Sequence, residues 1–320
     1  MKVLVTGANG MLGSNIVRQL LKQNHEVCVF LHPSFQTPTL DDLNLTKYYG
    51  CILNQDSVNL AVQHVDYVIH AAARTDYWPK QNETVWKVNV EGTKNIIKAC
   101  LKYAVKKLVF VGSAAALPTH GKYRYTGQKY GLTYIDSKYT ATRLIQKAVK
   151  ANQLNATIVM PTFMIGPYDS LPSSGQLILS QALGKLKICP CGGKNFVSAE
   201  DVAVAIVNSL TLGEPGRIYL AGNVNLKYRD FLMKVSKVTG IKSPVLEVPP
   251  YVIKMVGKLG SFYSKMTNKK PLLSYPMARI SCENEFYNVS EDAKLLNMPR
   301  TNIDFAIKRC YDWMHQYGYC

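Results

Sequence analysis

Met1-Lys-Val-Leu-Val-Thr-Gly-Ala-Asn-Gly-Met-Leu-Gly13 is a short apolar strand running straight into glycines at 7, 10 and 13. This stretch decides the fold. Gly7 lets the chain turn sharply out of the strand, Gly10 lets the backbone approach a pyrophosphate, and Gly13 lets the next helix pack close to the sheet. A helix from about Met11 to Lys22 then aims free N–H groups and its positive dipole end at the phosphates. Asn9, Met11 and Leu12 share the turn and join the three glycines as candidate dinucleotide contacts. The spacing is Gly-x-x-Gly-x-x-Gly, not the Gly-x-Gly-x-x-Gly of the standard fingerprint.

Beyond the turn, strand-like segments at 26–31, 51–54, 65–70, 107–112 and 156–160 alternate with helical patterns across 83–102 and from about 134 to 151. Such alternation means βαβ units: an α/β fold with a Rossmann-like, doubly wound parallel sheet. After Pro161 the regularity breaks, so residues 1–165 read as a dinucleotide-binding domain whose sheet is completed by about 194–222. Residues 166–193 and 223–320 read as a smaller C-terminal substrate lobe. Thr301-Asn-Ile-Asp304 has the pattern of a reciprocal cap opening the last helix.

With 320 residues, 47% of them apolar, the chain can bury a sizeable core, and no stretch approaches the ~20 apolar residues of a bilayer span. A cytoplasmic protein is expected. Of the eight cysteines only Cys189-Pro190-Cys191 is close-spaced; it lacks the second ligand pair of a zinc site, so no metal is expected. The net charge of +17 invites anionic partners, yet the lysines are spread out and no nucleic-acid motif accompanies them. They read as a solvated basic surface that also attracts an anionic cofactor, without specific nucleic-acid binding. Residues 249–265 are apolar and basic together, the composition of a surface-seeking helix. The plainer reading is a packing helix with snorkelling lysines, which leaves peripheral membrane contact open, as it leaves a homodimer.

Three Tyr-x-x-x-Lys pairs occur, and only one suits chemistry. On a helix that spacing puts phenol and ammonium on one face, where the cation can make the phenol an acid/base usable near neutral pH. Tyr103/Lys107 straddles a helix end, and Tyr125/Lys129 lies among Gly121, Gly127 and Gly131. Tyr134/Lys138 opens a good helix. Ser113 ends the strand 108–113, at the carboxyl edge where parallel sheets bind ligands. A serine there can hydrogen-bond a substrate oxygen while Tyr134 moves the proton.

With these residues in hand, the chain resembles the extended short-chain dehydrogenases/reductases from end to end. Further matches are His70-Ala-Ala-Ala73, Asn89-Val-Glu-Gly-Thr93, Pro161-Thr-x-x-x-Gly-Pro167 and Phe196-Val-x-x-x-Asp-Val202. Within that family it is most similar to the dihydroflavonol-reductase-like branch. The resemblance implies Ser113, Tyr134 and Lys138 as the catalytic set, with Lys138 also holding the nicotinamide ribose. It places Ala71, Ala72 and Ala73 beside the cofactor, makes Asn89 a structural or relay residue, and gives the nicotinamide pocket to Pro161, Phe163 and Met164. The family's Gly-Asp pair after the third strand, which contacts adenine, aligns with Ile52-Leu53, with Asn54 adjacent as the polar candidate. Ser198 stands at a usual histidine position.

Cofactor choice turns on the end of the second strand. NAD sites usually carry an acid there for the ribose 2′-OH, while NADP sites present a cation. Here Leu31 takes the acid's position, and His32 stands where related reductases have arginine, with Lys47 as a helper. NADP(H) is favoured, with NAD(H) the alternative. Thr75, Tyr77 and Trp78 in Thr75-Asp-Tyr-Trp-Pro79, together with Tyr123, Tyr125 and Tyr130, form an aromatic substrate wall. The expected activity is hydride transfer between a nicotinamide and a carbonyl or secondary alcohol. The alternatives are a nucleotide-sugar epimerase that keeps its cofactor and a non-enzymatic dinucleotide sensor.

Overall fold

The computed structural model describes residues 1–78, 81–117, 131–186, 188–242 and 246–320. Seven strands form the main sheet: β1 (Lys2–Thr6), β2 (Glu26–Leu31), β3 (Thr46–Tyr49), β4 (Tyr67–His70), β5 (Lys107–Val111), β6 (Ala156–Pro161) and β9 (Ile218–Ala221). Their order is β3-β2-β1-β4-β5-β6-β9, every pair parallel. Strand order reverses between β1 and β4, which opens a crevice at their carboxyl ends.

Both faces of this sheet are covered, which is why its central strands are nearly unbroken runs of β-branched and aliphatic residues. Val3 and Val5 pack towards α1 (Met11–Lys22) and α7 (Ala199–Leu212), meeting Ile16, Leu20, Val202 and Ile206. Leu4, Cys28 and Phe30 face the other layer, α2 (Gln55–Val62), α4 (Gly92–Lys102) and α5 (Thr133–Lys150). The expected helix across 83–102 is divided: α3 (Glu83–Trp86) passes through one widened π turn, Lys87–Glu91, into α4.

A second, four-stranded sheet lies after β6. β8 (Gly193–Ser198) pairs parallel with β7 (Phe163–Ile165) and β11 (Asn284–Glu285), and antiparallel with β10 (Val224–Lys227). Against it pack α6 (Gln176–Ala182), α8 (Tyr228–Thr239) and α12 (Ile303–Gln316), around Phe196, Phe231, Ile307 and Trp313. The remaining helices are α9 (Pro250–Thr267), α10 (Tyr275–Ser281) and α11 (Ser290–Leu295).

Several sequence expectations are corrected. The third strand is Thr46-Lys-Tyr-Tyr49, not 51–54: as an edge strand it is only half-buried and needs no apolar run. Residues 51–54 instead form the turn into α2, which Asn54 caps by accepting from the Ser57 amide at 2.8 Å. Of the stretch 194–222, only β9 enters the main sheet, while β8 goes to the second. Thr301 does not join a capping box; its amide and hydroxyl donate to buried Asp201 at 2.8 and 2.7 Å, and Asn302 caps α12.

Candidate functional site

The glycine turn is built as a cradle. Gly7 sits at φ +71°, and a Cβ there would meet Ala72 Cα at 2.6 Å. Gly13 has no room for a Cβ against Gly7 and Ala8, so its smallness serves the turn itself and not the sheet as expected. A Cβ on Gly10 would meet only the Gly7 carbonyl, at 3.5 Å, so this face of the turn is open. Gly10 caps α1 without a side-chain bond, and the first turn holds no acid, leaving N–H groups for an anion. The turn thus fits a dinucleotide pyrophosphate. Buried Met11 and Leu12 anchor the helix start, and Asn9 is tied to the loop after β2 through Gln36 and Thr39.

At the end of β2, Leu31 is 1% exposed and belongs to the core, so its side chain cannot line a ribose site. His32, the next residue, is half-buried at the edge. Its Nδ1 accepts from the Ser34 amide at 3.2 Å, which leaves Nε2 for a ligand. Lys47 pairs with Val29 inside β3 and lies short of that edge. Gly50-Cys51 directly follows β3, ahead of the aligned Ile52-Leu53; Ile52 is buried, and Asn54 engages its side-chain oxygen in capping α2.

Between the two halves of the crevice, Ala71 and Ala72 donate their amides to the Thr6 carbonyl and hydroxyl, and Ala73 continues that half-buried stretch. His70 is held between the hydroxyls of Thr6 at 2.8 Å and Thr93 at 3.1 Å. Burial, with Lys138 nearby, pushes its pKa down to about 3, so the ring is neutral at working pH. This clamp is not legible in the local sequence, because two threonines 64 and 23 residues from His70 carry no spacing signal.

Ser113 follows β5 at its carboxyl end and is 9% exposed. It lies close enough to the half-buried Tyr134, on the first turn of α5, to favour that residue's phenolate. Burial raises the phenol's pKa and Ser113 partly offsets this, so Tyr134 keeps its proton near neutrality. Lys138 was expected to lower that pKa. Instead its Nζ points beneath the site, donating to the Val111 carbonyl at 2.6 Å and lying 4.9 Å from the Phe110 ring centre. Burial brings its own pKa down to about 7. Asn89, in the π turn, braces the site: it bonds both the amide and carbonyl of Arg74 and donates to Ser137, whose hydroxyl caps back onto the Tyr134 carbonyl.

Tyr77 lies against Tyr134, ring centres 5.2 Å apart, and burial pushes its phenol pKa up. Trp78 turns to α9, donating to Ser264 at 2.9 Å, and Thr75 is exposed. Pro161 ends β6; Phe163 packs edge-on to Phe196, and Met164 reaches the main core. Ser198, at the departed histidine position, caps α7. Two features escaped the sequence reading: Tyr287 donates to the Ala114 carbonyl beside Ser113, and a buried ion pair, Lys194–Glu285, joins β8 to β11 at 2.5 Å. Pro79, Tyr123, Tyr125, Lys129 and Tyr130 lie outside the described residues. Among the described residues no cluster of metal-ligating side chains occurs.

The chain as a whole and its fold are matched by known proteins. The chain is 26% identical over 327 residues to a putative dihydroflavonol 4-reductase of Synechocystis, covering 98% of this chain and 95% of that one. It is 24% identical to the sterol-4-alpha-carboxylate 3-dehydrogenase, decarboxylating, of Mus musculus, covering 98% and 91%. The crystal structure of gox2253 superposes with a TM-score of 0.88 at 27% identity, covering 99% of this chain and 98% of that one. Residues 3–222 match the model of the NAD dependent epimerase/dehydratase family. The chain therefore belongs to that family, and is an enzyme of the extended short-chain dehydrogenase/reductase type.

Proposed function

We propose that this chain is a ketone reductase that uses NADP(H) in preference to NAD(H) and acts on a flat, largely apolar substrate. The observation that carries the reading is a Tyr134 that burial keeps protonated, set between Ser113 at the carboxyl end of β5 and an aromatic ring, Tyr77. A reduction needs a proton donor at the start, and a phenol held above its usual pKa is one. Ser113 would hold the substrate oxygen, Tyr134 would deliver the proton to it, and Lys138 beneath would hold the nicotinamide ribose. The reduced nicotinamide, when bound, supplies the hydride to the carbonyl carbon. Tyr77 offers a wall for a ring system, and the dihydroflavonol reductase and sterol dehydrogenase names of its relatives agree with such a substrate.

The second reading, a nucleotide-sugar epimerase, is favoured by the family description itself. Nicotinamide absorbance, followed against ketones, steroids and UDP-sugars, separates the two. Net consumption of NADPH supports the reductase; isomerised sugar with none consumed replaces it by the epimerase.

Two predictions follow from particular atoms. Ser113→Ala should lower kcat by roughly 10- to 1000-fold, the scale of losing one oxyanion donor, with the fold intact; unchanged turnover would remove Ser113 from the chemistry. For the cofactor, the edge residue to change is His32, because an acid at buried Leu31 would be a charge in the core. His32→Arg should tighten NADPH binding, and His32→Asp should turn the preference towards NADH. Fluorescence titration of both nucleotides checks this, and tighter NADH binding by the unmodified protein would sink the NADP(H) assignment.

A further inference from the structure

α9 is folded inside out. It packs on α10 through Ile253 and Gly257, with a Cβ on Gly257 placed 2.5 Å from that of Ala278. The opposite side exposes Tyr251 (72%), Met255 (56%), Leu259 (64%), Phe262 (64%) and Met266 (72%). Their spacing, i, i+4, i+8, i+11 and i+15, makes one straight apolar stripe along the helix. A packing helix would turn these side chains inward, so snorkelling lysines over a buried face do not account for it.

Lys254, Lys258 and Lys265 run along one border of the stripe, and Lys269 and Lys270 follow its end. Residues 248–282 contain no Asp or Glu. A second copy of this chain would bring the same cations face to face without a counter-charge, whereas an anionic lipid surface complements both the charge and the apolar stripe. Among the described residues no helix is long and apolar enough to cross a membrane, so the helix would lie in the interface plane. We infer that α9 docks this protein on the surface of an anionic bilayer. The Trp78–Ser264 bond ties the inner side of the helix to the loop whose Tyr77 rests on Tyr134, so α9 borders the cleft with its apolar stripe turned away from it. The docking stands independently of which reaction the cleft performs.

The test is co-sedimentation of the full chain with vesicles of phosphatidylcholine alone and with added phosphatidylglycerol. Binding is expected to the anionic vesicles and to weaken with salt. Replacing Lys254, Lys258 and Lys265 together by Gln should lower that affinity about 100-fold, at about fivefold per lysine. Leu259→Asp with Phe262→Asp should abolish binding while leaving far-UV circular dichroism unchanged, since both side chains are exposed. Equal binding by this double variant, or no binding to anionic vesicles at low salt, would overturn the inference. So would a dimer, seen by light scattering, that the double variant dissolves: the face would then belong to a second copy.

Discussion

Tyr134→Phe is expected to reduce turnover by roughly 10³-fold or more while NADPH affinity stays within a few-fold. Losing a positioned general acid typically costs about 10²- to 10⁴-fold, and here the phenol stands at the start of α5, where Ser113 at the edge of β5 acts on it electrostatically. The substitution deletes one oxygen and keeps the ring against Tyr77, so packing and the cofactor cradle should be undisturbed. The rival pair Tyr103/Lys107 cannot take over. Tyr103 lies just past the end of α4, and Lys107 is buried with its Nζ on the Gly213 carbonyl, on the far side of the sheet edge from Ser113. Stopped-flow hydride transfer with Tyr134→Phe and Tyr125→Phe in parallel decides between the remaining two. Activity surviving in the first and lost in the second would move the acid to Tyr125.

What could be read from the chain beforehand follows from how local each signal is. The glycine turn, the buried strands and α5 are written in contiguous residues, because periodicity and turn chemistry act over a few positions. β3 escaped because an edge strand is half-solvated, so Thr46-Lys-Tyr-Tyr49 has no apolar run, and the adjacent 51–54 is the more apolar stretch. Thr301 escaped differently: its cap pattern was sound locally, but Asp201, a hundred residues earlier, takes both its donors. The same reason hid the His70 clamp and the Lys194–Glu285 pair, which exist only once distant strands meet. For the site, identity was legible and electrostatics was not. The i, i+4 spacing put Tyr134 and Lys138 on one helix face, but burial, which raises one pKa and lowers the other, depends on everything packed around them.

That burial makes Lys138 the residue whose loss should most clearly separate function from stability. Its ammonium has a pKa near 7 in the folded protein against an ordinary 10.5. Below about pH 7 both folded and unfolded chains carry the charge, and the folded chain bears the full desolvation cost; as pH rises from about 7 to about 10.5 only the unfolded chain remains protonated, and the cost shrinks to nothing. At about 1.4 kcal/mol per pKa unit the cost below pH 7 is a few kcal/mol. Lys138→Met removes it, but leaves the buried Val111 carbonyl without its 2.6 Å donor, a loss of about 1–3 kcal/mol at every pH. The variant should therefore be more stable than the parent by about 1–3 kcal/mol at pH 6 and less stable by about the same amount near pH 10. Turnover should fall by roughly 10³-fold, with NADPH affinity falling as well, if the ammonium holds the ribose as proposed. Urea unfolding of both proteins at the two pH values, without added nucleotide, reads the crossing directly. A variant less stable at pH 6 would mean that Lys138 is stabilised in its charged form by groups other than the Val111 carbonyl, and that its ammonium is not strained by burial but held there.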